Sequence, residues 1–187
     1  MFKKKIFISF SGLDGSGKST QINLLFNKLN KKKSVKMLHL FSEGSTLHSK
    51  IKKKNILNYL ILFLKKQNHK IFGFRLKFYI AIILYILESW YFYYKIIFFE
   101  KKKYILLDRY YYDYFVNQIS QEDTEYPTFM KINLLFPKLN FSFFFDVDEI
   151  TSFKRKKEYT HKKLRKLRKN FRICSKVLNA YNINGEK

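Results

Sequence analysis

Residues 12–20 read Gly12-Leu13-Asp14-Gly15-Ser16-Gly17-Lys18-Ser19-Thr20, a G-x-x-x-x-G-K-S pattern whose chemistry is the gripping of phosphate. The glycines let the backbone wrap so that successive N–H groups point at one anion. A helix opening at Lys18 adds its partial positive charge at the same place. Lys18 supplies a mobile cation for β- and γ-phosphates, and the Ser19 hydroxyl suits a Mg²⁺ ligand. Gly12, Asp14, Gly15, Ser16, Gly17, Lys18, Ser19 and Thr20 are therefore the expected nucleotide-binding segment. A second candidate is Tyr104-Ile105-Leu106-Leu107-Asp108-Arg109-Tyr110, an apolar run that ends in Asp-Arg. Asp108 can hold Mg²⁺, directly or through water, or polarise an acceptor group, and Arg109 can bind a phosphate oxygen. The plainer role for Asp108 is a helix N-cap ahead of the aromatic stretch 110–115.

These residues need strands behind them and helices around them. Short β-like runs fall at 5–11, 35–41, 104–108, 141–147 and 180–183. Most are continuously apolar rather than alternating, as strands covered on both faces are. Helical spacing occupies 18–30, 47–64, 74–99, 113–120 and 149–177. Strands alternating with helices build a parallel sheet. With the phosphate loop after the first strand, the expected fold is a three-layer α/β/α P-loop NTPase with a five-stranded parallel sheet. Ligands of such sheets sit beyond the carboxyl ends of the strands, which would bring Asp108 near Lys18 and Ser19.

The chain has 187 residues with six glycines and two prolines, and no linker or internal repeat interrupts it, so a single domain over 1–187 is expected. Its one cysteine, Cys174, permits no internal disulfide, and a reducing, cytoplasmic setting fits. The net charge of +24 invites a nucleic-acid or anionic-membrane partner. Lysine, however, is enriched together with Asn, Ile, Phe and Tyr, and its short runs punctuate apolar elements. Compositional drift is the better account, and a nucleic-acid partner is not expected. No signal peptide is expected either, because the apolar stretch after Lys3–Lys5 runs straight into the phosphate loop. Residues 78–87 are an uncharged apolar run of about half the ~20 residues that a membrane span needs, and Glu88 and Lys95 follow, so no span is expected. His39, His48, His69 and His161 make no metal-ligand spacing. The cluster Trp90-Tyr91-Phe92-Tyr93-Tyr94 reads as core rather than as a platform for stacked bases.

The chain resembles the thymidylate kinase family. Phe10-Ser11-Gly12 through Thr20 is close to that family's loop, and Asp108-Arg109-Tyr110 matches its Asp-Arg-aromatic motif. Gln118 matches a glutamine of the same motif. Pro137-Lys138-Leu139-Asn140 followed by Phe145-Asp146-Val147-Asp148 resembles the family's Pro-Asp-Leu and Leu-Asp-Val segments, and Glu43-Gly44-Ser45-Thr46 its Glu-Pro-Gly-Gly-Thr stretch. The resemblance implies a nucleoside-monophosphate kinase that moves the γ-phosphoryl of ATP to dTMP with Mg²⁺. Asp14 would approach the acceptor sugar and phosphate. Catalysis would fall to Lys18, Asp14, Asp108, Arg109 and Arg155, with Ser19 and Asp108 as metal ligands.

The basic segment 154–176 would be a helical lid supplying cations to the transferring phosphoryl group, with Arg155, Arg165, Arg168 and Arg172 as candidates. The expected partner is a small-molecule nucleotide, with a homodimer allowed. There are departures from the family pattern. Asp113 stands where the family has Ser. The family's thymine-stacking aromatic and phosphate-gripping Arg fall near Ile83 and Leu87, with Arg75 reachable through a gap, and the Arg before its Glu-Pro falls near Phe41. The chain also stops near the end of the fifth strand, so the family's adenine-side loop and last helix are expected to be missing. A kinase of the same fold acting on a sugar or lipid-linked acceptor, or a catalytically idle nucleotide-binding protein, are the alternatives.

Overall fold

The computed structural model describes residues 4–31, 34–39, 74–113, 116–117 and 132–186, with side chains given for neither 74–81 nor 133. Its elements run β1 (Ile6–Gly12), α1 (Lys18–Asn30), β2 (Val35–His39), α2 (Phe74–Phe99), β3 (Tyr104–Asp108), a 3₁₀ turn (Asn133–Leu135), β4 (Phe141–Asp146), α3 (Glu149–Arg155), α4 (His161–Val177) and β5 (Tyr181–Asn184). The chain divides into two compact units, one of residues 1–41 with 101–187 and one of residues 42–100. The expected helix over 47–64, Glu43–Thr46, Phe41, His48, His69 and Gln118 lie outside the described residues, as does part of the 113–120 helix.

The first unit holds a five-stranded parallel sheet in the order β2-β3-β1-β4-β5. β1 is central because its residues can be covered on both faces. Ile8 and Phe10 face a core shared with Ile22 of α1, Val35, Leu106 and Phe145. The alternate residues of β1 are the small Ser9 and Ser11, which are also buried and leave room for the side chains of Tyr112 and Asp113. On that second face the Phe144 ring lies 5.4 Å from Tyr112 and 6.0 Å from Phe171 of α4. The layers are thus α1, sheet and α4, as expected for this fold class.

Two expectations need correction. The 149–177 segment is not one helix. α3 ends where Lys156 turns extended (φ −152°, ψ 103°), and α4 starts anew at Thr160, whose side chain accepts from the Lys163 N–H. Basic residues of high helix propensity hid the break; the N-cap threonine was its signal. α4 is moreover a core helix, with Leu164, Leu167, Phe171 and Cys174 buried at i, i+3, i+7 and i+10. The second correction concerns Trp90–Tyr94. In the second unit Trp90, Tyr91 and Tyr94 are exposed, Tyr91 by 58%. α2 is apolar around most of its circumference, more than one buried stripe requires. Its exposed rings stack on one another instead, Trp90 on Tyr94 at 5.6 Å and Tyr94 on Phe98 at 6.4 Å. By length and composition, Ile82–Phe99 is long and apolar enough to cross a membrane.

Candidate functional site

The phosphate loop leaves β1 at Gly12, which has φ 134° and whose missing Cβ would strike the Phe145 carbonyl of β4. Gly15, at φ 78°, lies so close to α3 that a Cβ would come within 2.9 Å of the Ser152 carbonyl oxygen. Glycine is required at both for the left-handed backbone and for the close approach. Gly17, also left-handed, is the N-cap from which α1 starts. Lys18, only 5% exposed, folds back over the loop: Nζ donates to the Gly12 carbonyl at 2.9 Å, the Leu13 carbonyl at 2.5 Å and Ser16 Oγ at 3.3 Å. Burial brings its pKa down from 10.5 to about 8. The nearby Arg109 charge pushes the same way, against Asp14, Asp113 and Asp108. The ammonium thus occupies the loop on neutral carbonyls that a phosphate would outbid electrostatically.

Arg109, which follows β3, and residues of α3 fix the loop, with Asp108 and His39 at the same end of the sheet. Asp108 ends β3 in register with Phe10 of β1, and its Oδ2 lies 2.8 Å from His39 Nδ1 at the end of β2. Arg109 is a non-glycine residue at φ 67°, held by its N–H on the Phe10 carbonyl at 3.0 Å. That conformation is sparsely populated and survives where surrounding bonds determine it. It turns the side chain back over the loop, where Nη2 pairs with Asp14 Oδ1 and Nη1 lies 3.7 Å from Asp113 Oδ1. Burial works against the guanidinium charge, but Asp113, Asp14 and Asp108 outweigh it and raise its pKa. From α3, Ser152 Oγ donates to the Asp14 carbonyl at 2.6 Å. Arg155 Nη1 donates to the Gly15 carbonyl at 3.1 Å and to the Gly185 carbonyl at 2.8 Å. The buried Lys18, the half-buried Arg109 and the Asp14 carboxylate thus converge at the carboxyl ends of adjacent strands, where open parallel sheets bind ligands.

The family model for thymidylate kinase matches residues 10–185, nearly the whole chain. The chain belongs to the thymidylate kinase family. That family is one of nucleotide kinases, phosphotransferases that bind small nucleotides. Among solved structures, a thymidylate kinase from Ehrlichia chaffeensis aligns over 97% of this chain and 89% of its own, with TM-score 0.58 and 20% identity. The thymidylate kinase from Candida albicans aligns over 97% and 84%, with TM-score 0.62 and 19% identity. Both show the fold. A thymidylate kinase of Thermosipho africanus (strain TCF52B) is 52% identical over 42 residues, 22% of this chain and 20% of that protein, so the match spans about a fifth of that relative.

Of the family's expected site residues, Gly12 to Thr20, Asp108 and Arg109 share one end of the sheet. The exposed Ser19 lies in the first turn of α1. Arg155 lies at the back of the loop and holds it by carbonyls. The three other basic-segment arginines are engaged with acids. Arg168 bonds both oxygens of Asp146, Nε at 2.8 Å and Nη2 at 3.3 Å, and Arg172 Nη2 reaches Asp146 Oδ2 at 2.6 Å. Arg165 Nε meets Glu149 at 3.0 Å. Burial alone would raise the Asp146 pKa, but these two arginines hold it below the usual carboxylate value. His39 and Ser152 were not expected at the site, and Asp113 was expected only as a departure from the family pattern. Asp113 had a signal, its i+4 spacing from Arg109. Ser152 and His39 had none, since each meets its partner across a sequence gap.

Proposed function

We propose that the chain is an ATP-dependent nucleoside-monophosphate kinase that converts dTMP to dTDP. The observation carrying this reading is that Lys18 and Arg109 both lie on the phosphate loop, Lys18 on the Gly12 carbonyl and Arg109 on Asp14, within the fold and family of thymidylate kinases. The loop's N–H groups and Lys18 take the β- and γ-phosphates of ATP, with Lys18 exchanging the Gly12 and Leu13 carbonyls for phosphate oxygens. Arg109 holds the acceptor's phosphate, and Asp14, released from Arg109, turns to the acceptor sugar. An acceptor phosphate oxygen then attacks the γ-phosphorus, and the bond to the bridging oxygen of ADP breaks. The developing charge is met by fixed donors, so positioning and electrostatics supply the acceleration. Arg155 and Ser152 act through the loop they hold.

Ser19 and Asp108 are hard oxygen donors, the chemistry Mg²⁺ takes when nucleotide phosphates complete its shell. When bound, the ion would neutralise phosphate charge and orient the γ-phosphoryl. Cytoplasmic work on a small nucleotide fits this reading. A second reading, a different small acceptor such as a sugar or lipid-linked compound, is favoured by Ile83 and Leu87, near which the family's base-stacking aromatic and arginine fall by count from Asp108 unless a gap brings Arg75 into place.

The test is ADP release across nucleoside monophosphates, nucleosides and sugars, with Lys18→Ala as control. We expect dTMP turnover that Lys18→Ala abolishes while the circular dichroism spectrum is kept. Wild-type turnover in Lys18→Ala would end the kinase reading; inertness to every nucleoside monophosphate with turnover of another acceptor would favour the second. Loss of a charge-assisted arginine contact forfeits about 1.5–3 kcal/mol, so dTMP should bind roughly 10–100-fold more weakly than to a family member that keeps the full motif set.

A further inference from the structure

Asp113 is an acidic residue only 1% exposed; burial raises its pKa, and the Arg109 charge beside it favours the carboxylate. Its two oxygens do different things. Oδ2 accepts from Ser11 Oγ of β1 and from the Tyr110 N–H at 3.1 Å, while the Asp113 N–H returns to the Tyr110 carbonyl at 2.9 Å. That reciprocal pair caps the helical turn that begins at Tyr111. A cap alone would use one oxygen. Oδ1 is buried and has no hydrogen-bond partner, and the charge facing it is Arg109 Nη1 at 3.7 Å. A buried acceptor left unsatisfied is costly, and a guanidinium just beyond bonding distance is the donor that would satisfy it. Arg109 meanwhile spends Nη2 on Asp14, the loop carboxylate that the proposed function assigns to the acceptor.

We propose that Asp113 is a positioning residue for Arg109: it takes the guanidinium when an acceptor draws Asp14 away, and so keeps Arg109 aimed at the acceptor's phosphate. This rests on the phosphate-gripping role given to Arg109 above. The device follows from the geometry. Arg109 has a strained backbone and two flanking carboxylates, one on a loop that binds ligand and one anchored to β1 through Ser11. Only the anchored one can hold the fork through a catalytic cycle. A bidentate or shared carboxylate also fixes the plane of the guanidinium, which a single contact does not.

Three roles for Asp113 predict three different outcomes for Asp113→Asn, which keeps the size and the cap oxygen but loses the charge. Positioning predicts that the KM for the acceptor rises about tenfold or more while the KM for ATP stays within about twofold. A bare charge effect predicts a fall in the acceptor KM, because a negative charge has left a phosphate site. A cap alone predicts both KM values unchanged, because asparagine keeps the capping oxygen. The latter two results overturn the proposal. Asp113→Glu should recover part of the acceptor affinity. In an Arg109→Lys background Asp113→Asn should add little, and additive losses would count against the coupling. If Asp113→Asn fails to fold, Asp113→Glu and Arg109→Lys carry the same comparison from each side. A wild-type protein with no turnover of any acceptor would sink the functional reading instead. In that event the crystal structure of the mutant decides: an Arg109 guanidinium that keeps its direction without the Asp113 charge refutes the inference.

Discussion

Lys18 in the phosphate loop is a buried cation resting on neutral oxygens, and this makes phosphate binding pH-dependent. Its pKa stands at about 8 in place of 10.5. Bound phosphate would raise it again, because an opposite charge favours the ammonium. Above pH 8 the free protein therefore loses the proton that the complex keeps, and binding must take one up. At pH 9 about one-tenth of the free Lys18 is charged, so ADP affinity should fall about tenfold between pH 7 and pH 9, roughly 1.4 kcal/mol. ADP has finished its own phosphate titration below this range. Calorimetry in two buffers of different ionisation enthalpy should find uptake close to one proton at pH 9 and little at pH 7. Lys18→Arg, whose guanidinium stays charged throughout, should abolish both the uptake and the loss. Equal ADP affinity at the two pH values, or the same loss in Lys18→Arg, would refute the reasoning.

Other consequences are local. Ser152→Ala removes a buried donor from the Asp14 carbonyl and should cost about 1–3 kcal/mol in urea unfolding, with weaker ADP binding as the loop loosens. Asp148→Ala removes the N-cap of α3, whose Oδ1 accepts from the Thr151 N–H at 2.7 Å, for a loss of about 1 kcal/mol. The Asp148 pKa is lowered to about 2 by its bonds to Thr151, so its contribution should be fully present above about pH 4 and lost as pH falls towards 2; acid titration of Asp148→Ala against wild type would show this window. Cys174 is buried and its thiol is pushed far up by burial. It should react with an aromatic disulfide reagent only on unfolding, and rapid labelling of the native protein would contradict the core position of α4.

Local rules wrote much of this protein into its sequence. The phosphate loop was legible because glycines at fixed offsets, a lysine and a following helix are chemistry and geometry at once. The central strands were legible because their apolar runs are short and follow one another in alternation with helical spacing. α2 matched its expected bounds of 74–99 because no capping residue or proline interrupts its apolar pattern. The division of 149–177 into two helices was also local, but lysine-rich periodicity concealed the Thr160 cap. What tertiary structure decided were the partners of charged groups. Asp146 lies at the end of β4, beside α4, so it takes Arg168 and Arg172, whose spacing on a basic helix by itself suits a phosphate. Arg109 points back over the loop because β1 and β3 are neighbours and the Phe10 carbonyl holds its strained backbone. Charge pairing depends on strand order and on the few ångströms that separate one side chain from another, and the spacing of residues along the chain does not contain that information.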